Sequence, residues 1–125
     1  MKLFTIEEAN AMLPSVRERL TKIQRTRRRL AAFRKHAKKA AEGAEMGGGG
    51  MEGGSLYAIV ISRFTAEIAE LEESEVQLKD FDRGLIDFPS LRDGRVVLLC
   101  WQLGEGDEVE WWHDMDAGFA GRTPL

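Results

Sequence analysis

Apolar residues recur at alternating three- and four-residue steps through Leu13, Val16, Leu20, Ile23 and Leu30, with Arg27 in the slot between the last two. A stripe of this kind lies along one face of a helix and has the character of a heptad seam. It predicts a long helix from about Thr5 to about Glu42. Thr5-Ile-Glu-Glu8 forms a capping box at its start, the hydroxyl accepting from the Glu8 amide while the carboxylate reaches back. Pro14 lies beyond the first turn and removes one ladder bond, so a kink or a break is expected there. Leu56, Ile59 with Val60, Phe64, Ile68 and Leu71 repeat the same spacing. They predict a second helix from Ser55, acting as N-cap, to about Glu75. One loop joining two such helices gives an antiparallel hairpin. With Glu42 opposite Ser55, Arg25 falls beside Glu72 and Arg28 beside Ala69.

Between the helices, Gly43 to Gly54 carries seven glycines in twelve residues and reads as a flexible loop. Met51-Glu52 follows its run of four glycines where a phosphate-binding loop needs Lys-Ser/Thr, which excludes that motif. Past Glu75 the period shortens. Val76 to Phe81 alternates like a strand, and Leu85 to Phe88 predicts a second, short one closed by Pro89 and the turn Arg92-Asp-Gly-Arg95. Val96 to Trp101 is rich in strand formers, and Gly104 to Asp107 turns it back onto Val109 to His113. In this register His113 lies opposite Leu98 and Cys100 opposite Trp111. The tail from Asp114 to Leu125 reads as irregular, with Gly118, Gly121 and Pro124 allowing bends. The fold class is therefore α+β, a long antiparallel helical hairpin packed on a small antiparallel sheet of three or four strands.

The chain has 125 residues, enough for one domain with one core. A single cysteine excludes an internal disulfide, and the longest apolar runs are too short to span a bilayer. The opening residues lack the apolar run of a secretory signal, so a cytoplasmic protein with no membrane partner is expected. Net charge is only −3 but unevenly spread: residues 1–42 carry 12 Lys/Arg against 4 Asp/Glu, and residues 43–125 carry 6 against 17. The alignment of the helices sets Arg25, Arg27, Arg28 and Arg29 near Glu67, Glu70, Glu72, Glu73 and Glu75, so part of this asymmetry is expected to be internal. The basic run from Arg25 to Lys39 offers only Phe33 for stacking, and nucleic acid is not an expected partner.

Several stretches carry a family resemblance. At the front stands Phe4-Thr-Ile-Glu-Glu-Ala-Asn-Ala-Met-Leu-Pro14. Further on come Lys79-Asp80, Gly84-Leu-Ile-Asp-Phe-Pro89, Leu99-Cys-Trp101, Gly104-Glu105, and Trp112-His113 through Gly118-Phe-Ala-Gly-Arg-Thr-Pro-Leu125. With these the chain resembles a bacterial family known as domain of unknown function 2203, over essentially its whole length apart from the glycine loop. The resemblance implies no activity and serves to point at positions.

The candidate chemistry gathers in the last forty residues. His113 and Asp116 stand three apart through a turn, Asp87 comes from a neighbouring strand, and Glu105 sits at a hairpin tip. One imidazole with carboxylates is a recognisable set for divalent Zn, Mn or Fe. The plainer reading is a His–Asp hydrogen bond bracing the sheet. Cys100 is expected to point into the core and to be inert, although His113 is its diagonal neighbour on the same face. Arg122 is expected to pair with a buried carboxylate such as Asp87 or Asp116, or to bind an anion, with Phe119 anchoring the tail. Trp101, Trp112, Phe119 and Arg122 together form a candidate binding surface. The leading functional expectation is a binding or scaffolding module, homodimeric through a coiled coil of its long helices, with an unidentified protein partner and no cofactor. The alternative is a metal-binding protein or metal-dependent hydrolase built on His113, Asp116, Asp87 and Glu105.

Overall fold

In the computed structural model two α-helices are followed by a five-stranded antiparallel sheet, so the fold is α+β. Residues 1–43 and 51–125 are described, with side chains for 1–39 and 54–125. Helix α1 spans Ile6–Gly43 and α2 spans Met51–Glu73. The strands are β1 (Gln77–Asp80), β2 (Leu85–Arg92), β3 (Arg95–Gln102), β4 (Trp111–Asp114) and β5 (Thr123–Pro124), paired in chain order.

Helix α1 starts at the expected capping box. The Glu8 amide donates to the Thr5 hydroxyl at 3.0 Å, and the Thr5 amide donates to the Glu8 carboxylate at 3.1 Å. These bonds hold the Glu8 carboxyl below the usual carboxylate range, the bond from the Thr5 backbone contributing most. Pro14 does not split the helix, which continues as one element with the proline exposed on its surface. Helix α2 begins at Met51, so the expected start at Ser55 and the loop expected over 43–54 are both revised. Within that loop, 44–50 fall outside the described residues.

The earlier start of α2 also shifts the hairpin. Arg19 meets Glu70 (3.8 Å), the Thr26 hydroxyl donates to Glu67 (2.9 Å), and the Phe33 and Tyr57 rings pack edge to face. Each α1 residue therefore meets α2 one to two turns earlier than a Glu42–Ser55 opposition requires. The slot in the seam assigned to Arg27 is filled by Thr26, which is buried with its hydroxyl on Glu67. Arg27 instead reaches Asp82 at 3.5 Å.

The seam itself is used within the chain. Leu13, Val16, Leu20 and Ile23 join Leu71 of α2 and Ile86, Phe88, Leu99 and Trp101 of the sheet in one buried cluster. Successive residues of a strand point to opposite faces. Ile86, Phe88, Leu99 and Trp101 therefore line the core face, while Leu85, Asp87, Leu98 and Cys100 line the outer one.

Strand β2 is twice as long as the four residues expected, because Pro89 does not end it. Strand β1 pairs only with Leu85 to Asp87, so Pro89 stands at a free edge where no N–H is demanded. Its carbonyl accepts the Phe4 amide at 2.7 Å. Asp93 and Gly94, both at positive φ (51° and 78°), make the two-residue turn into β3. This is the Asp-Gly turn the sequence predicts. No described helix is long and apolar enough to cross a membrane.

Candidate functional site

Three cross-strand relations on the outer face of the sheet bring the site together. Asp87 of β2 lies opposite Cys100 of β3, Cys100 opposite Trp111 of β4, and Leu98 opposite His113. The last two match the register read from the sequence. Because residues two apart on a strand share a face, Asp87, Cys100 and His113 converge. One donor atom from each lies within 4.8 Å of the others, and all three side chains are buried.

His113 is held from both sides. Its Nδ1 lies 2.8 Å from the Asp114 carbonyl oxygen, which can only accept, so Nδ1 carries a proton. Nε2 lies 3.1 and 3.2 Å from the two oxygens of Asp87. A carboxylate facing an imidazole lone pair would be repulsive, so a proton is shared between Nε2 and Asp87. Burial pushes the Asp87 carboxyl above the usual range, and the charge and hydrogen bond of His113 offset this only in part. Burial likewise pushes the Cys100 thiol up to about 11, against the lowering effect of the Arg122 guanidinium 3.8 Å from its sulfur.

The tail after β4 folds over this face. A cavity of about 210 Å³ is lined by Asp87 and His113, by Lys79, Leu85 and Leu98, and by Met115 to Phe119 of the tail except Asp116. Phe119 lies 4.3 Å from the Arg83 guanidinium and 4.0 Å from that of Arg122. Arg122 also covers Trp111 at 4.6 Å and grips Glu105 with two bonds of 3.0 and 2.9 Å. Glu105 in turn accepts the Gln102 amide at 2.7 Å, which closes the turn after β3.

Of the four expected metal ligands, the structure unites Asp87 and His113 and separates the other two. Asp116 is exposed in the turn after β4, and Glu105 is committed to Arg122. The partner of Arg122 is thus Glu105, neither Asp87 nor Asp116. Cys100, expected to be an inert core residue, is the third member of the cluster. Its burial and its diagonal neighbour His113 are legible in the sequence; the remaining member, Asp87, is set opposite it by the register that β2 keeps up to the Asp93-Gly94 turn.

The expected binding surface separates in the same way. Trp101 is fully buried on the core face, its Nε1 donating to the Gly106 carbonyl at 3.0 Å. Trp112 packs partly against the core beneath Arg92, and its buried Nε1 has no partner among the described residues. Only Phe119 and Arg122 stand beside the site, as parts of the tail latch.

A family model described as "Uncharacterized conserved protein (DUF2203)" matches residues 2–125, and the chain belongs to that family. No curated protein and no solved structure matches it.

Proposed function

We propose that this family member is a metal-binding module whose ligands are Asp87, Cys100 and His113, with zinc as the ion. One observation carries the reading: oxygen, sulfur and nitrogen donors, all buried, gathered within 4.8 Å on one face of a sheet. A thiolate among the ligands favours zinc over the harder Mn, which prefers oxygen. Metal-bound histidines typically donate their second ring N–H to a carbonyl or carboxylate, and Nδ1 of His113 already does so.

The cation takes the place of the proton between Nε2 and Asp87. It thereby relieves the cost of burying a carboxylate that a shared proton and the nearby Lys79 compensate only in part. It also displaces the thiol proton, since a thiol that binds a metal does so as thiolate. The Arg122 guanidinium, 3.8 Å from the sulfur, supports that negative charge. Three protein ligands leave zinc a fourth position, and the adjoining cavity of about 210 Å³ is the route by which water or a ligand reaches it. Zinc supplies a water acidified to near neutral pH, the chemistry of a hydrolase.

The test is the metal content and competitive zinc titration of chelator-free protein. One equivalent is expected for the native chain, with loss in Asp87→Asn, Cys100→Ser and His113→Ala. Asp116→Ala and Glu105→Ala should retain the metal. Absence of zinc binding in folded native protein removes the reading. The seam that suggested self-association, Leu13 to Ile23, is buried within the chain and is not free to meet a second copy.

A further inference from the structure

The displaced alignment of the two helices changes the meaning of the basic run. The acidic cluster of α2, from Glu67 to Glu73, lies opposite α1 residues around Arg19 to Thr26. The run from Arg28 to Lys35 therefore lies against residues 54–66 of α2, a stretch with no Asp or Glu and one Arg. Arg28, Arg29, Arg34 and Lys35 are exposed, and none makes an ion pair among the described residues. Residues 25–66 hold nine Lys/Arg against three Asp/Glu, and the rest of the chain nine against eighteen. Charge is thus separated along the chain: residues 25–39 and 54–66 carry all nine of these Lys/Arg and no Asp or Glu, and the three acidic residues fall in 40–53.

The same stretch exposes aliphatic side chains. Leu56 and Ile59 are 55% and 56% exposed on α2, within the span that faces the basic run. The one aromatic pair there is used internally, since Phe33 packs edge to face on Tyr57 with ring centres 5.9 Å apart. A single-stranded nucleic acid would look for free aromatic faces on which to stack bases. Exposed leucine and isoleucine gain nothing from a phosphate backbone in water. They gain free energy where apolar groups enter the boundary between headgroups and acyl chains, next to basic residues that face anionic headgroups.

We infer that the stretch of the helical hairpin formed by residues 28–35 of α1 and 54–59 of α2 docks on an anionic phospholipid surface. Arg28, Arg29, Arg34 and Lys35 meet the headgroups, and Leu56 and Ile59 enter the interface. No spanning segment is involved, so the lack of an apolar helix long enough to cross a bilayer is no obstacle. The inference is independent of the metal reading, because these hairpin residues and the outer face of the sheet share no residue.

The experiment is flotation of the full chain with phosphatidylcholine vesicles, with and without one-third phosphatidylglycerol, over a range of salt. Flotation with the anionic vesicles only, weakening as salt rises, is expected. Arg28→Gln with Arg29→Gln should lower partitioning roughly 30-fold, at about one kcal/mol for each basic residue. Leu56→Ser with Ile59→Ser should lower it as well. All four positions are exposed, so circular dichroism should show both double variants folded. No flotation, equal flotation with neutral vesicles, or indifference to both double variants would overturn the inference. So would preferential binding of duplex or single-stranded nucleic acid, or a dimer in solution that the Leu56→Ser/Ile59→Ser variant abolishes.

Discussion

Asp87 and Cys100 face each other across β2 and β3, on the side of the sheet turned away from the core. The carboxyl is next to a thiol and an imidazole, and all three side chains are buried. Without a bound cation, the ionised carboxylate is compensated by the proton it shares with His113 and, more weakly, by the Lys79 ammonium.

The first prediction concerns Asp87→Asn. With Nδ1 of His113 donating to Asp114, the neutral ring presents Nε2 as an acceptor, and the new amide can donate to it. The variant should fold with stability within about 1 kcal/mol of the parent by urea denaturation, since the hydrogen bond is kept. It should lose zinc all the same. Its pH dependence should differ too. A carboxyl whose folded-state pKa is raised holds its proton more tightly in the native state than in the unfolded one. The contribution of Asp87 to the stability of the metal-free protein is therefore complete below its unfolded-state value and is lost as pH rises through the folded-state value. Asp87→Asn should abolish that decline, and a variant that keeps it would remove Asp87 as its source.

The Cys100 thiol, raised to about 11, should resist iodoacetamide at neutral pH in the folded metal-free chain and react readily once urea unfolds it. The sign of its linkage is the same as for Asp87. Its contribution is complete below the unfolded thiol value of about 8.5 and is lost as pH climbs toward about 11. Rapid alkylation of folded protein at neutral pH would contradict the burial on which the site depends.

Glu105→Ala tests the latch. It removes two bonds to Arg122 and the acceptor of the Gln102 amide in a region largely shielded from water. Charge-assisted bonds of this kind are worth about 2 kcal/mol. The expected outcome is a loss of about that size in urea denaturation, together with faster alkylation of Cys100 as the tail loosens. Unchanged alkylation would show that the latch does not guard the site.

Gly84→Ala tests the frame. The residue has φ of 65°, and an added Cβ would lie 2.6 Å from Cβ of Leu103. Strain and overlap together should cost about 2 kcal/mol or more, measured in the same denaturation series. Thr5→Ala, at the capping box of α1, should cost about 1 kcal/mol.

How far the sequence reaches can be judged from particular residues. The seam from Leu13 to Ile23, the capping box, and the pairs Leu98–His113 and Cys100–Trp111 follow from period and turn chemistry, which are local properties. The length of β2 does not. Pro89 reads as a terminator until Phe4, far away in the chain, is found filling its edge. Unbroken pairing from there to the Asp93-Gly94 turn fixes the register that sets Asp87 opposite Cys100 and turns a buried cysteine into a candidate ligand. Glu105 and Asp116 stood near His113 in sequence, but a guanidinium from the tail claims the first and an open turn exposes the second. The alignment of the helices likewise depends on where α2 begins, which residue spacing alone leaves free by a turn or more.

The central claim is most directly tested by titrating the metal-free protein with cobalt(II), a spectroscopic stand-in for zinc. A near-ultraviolet thiolate-to-cobalt charge-transfer band is expected, saturating at one equivalent and lost on adding zinc. Cys100→Ser should lack the band, and Asp87→Asn and His113→Ala should weaken or abolish it. A native protein that shows no such band, or a Cys100→Ser variant that shows it unchanged, would contradict the site.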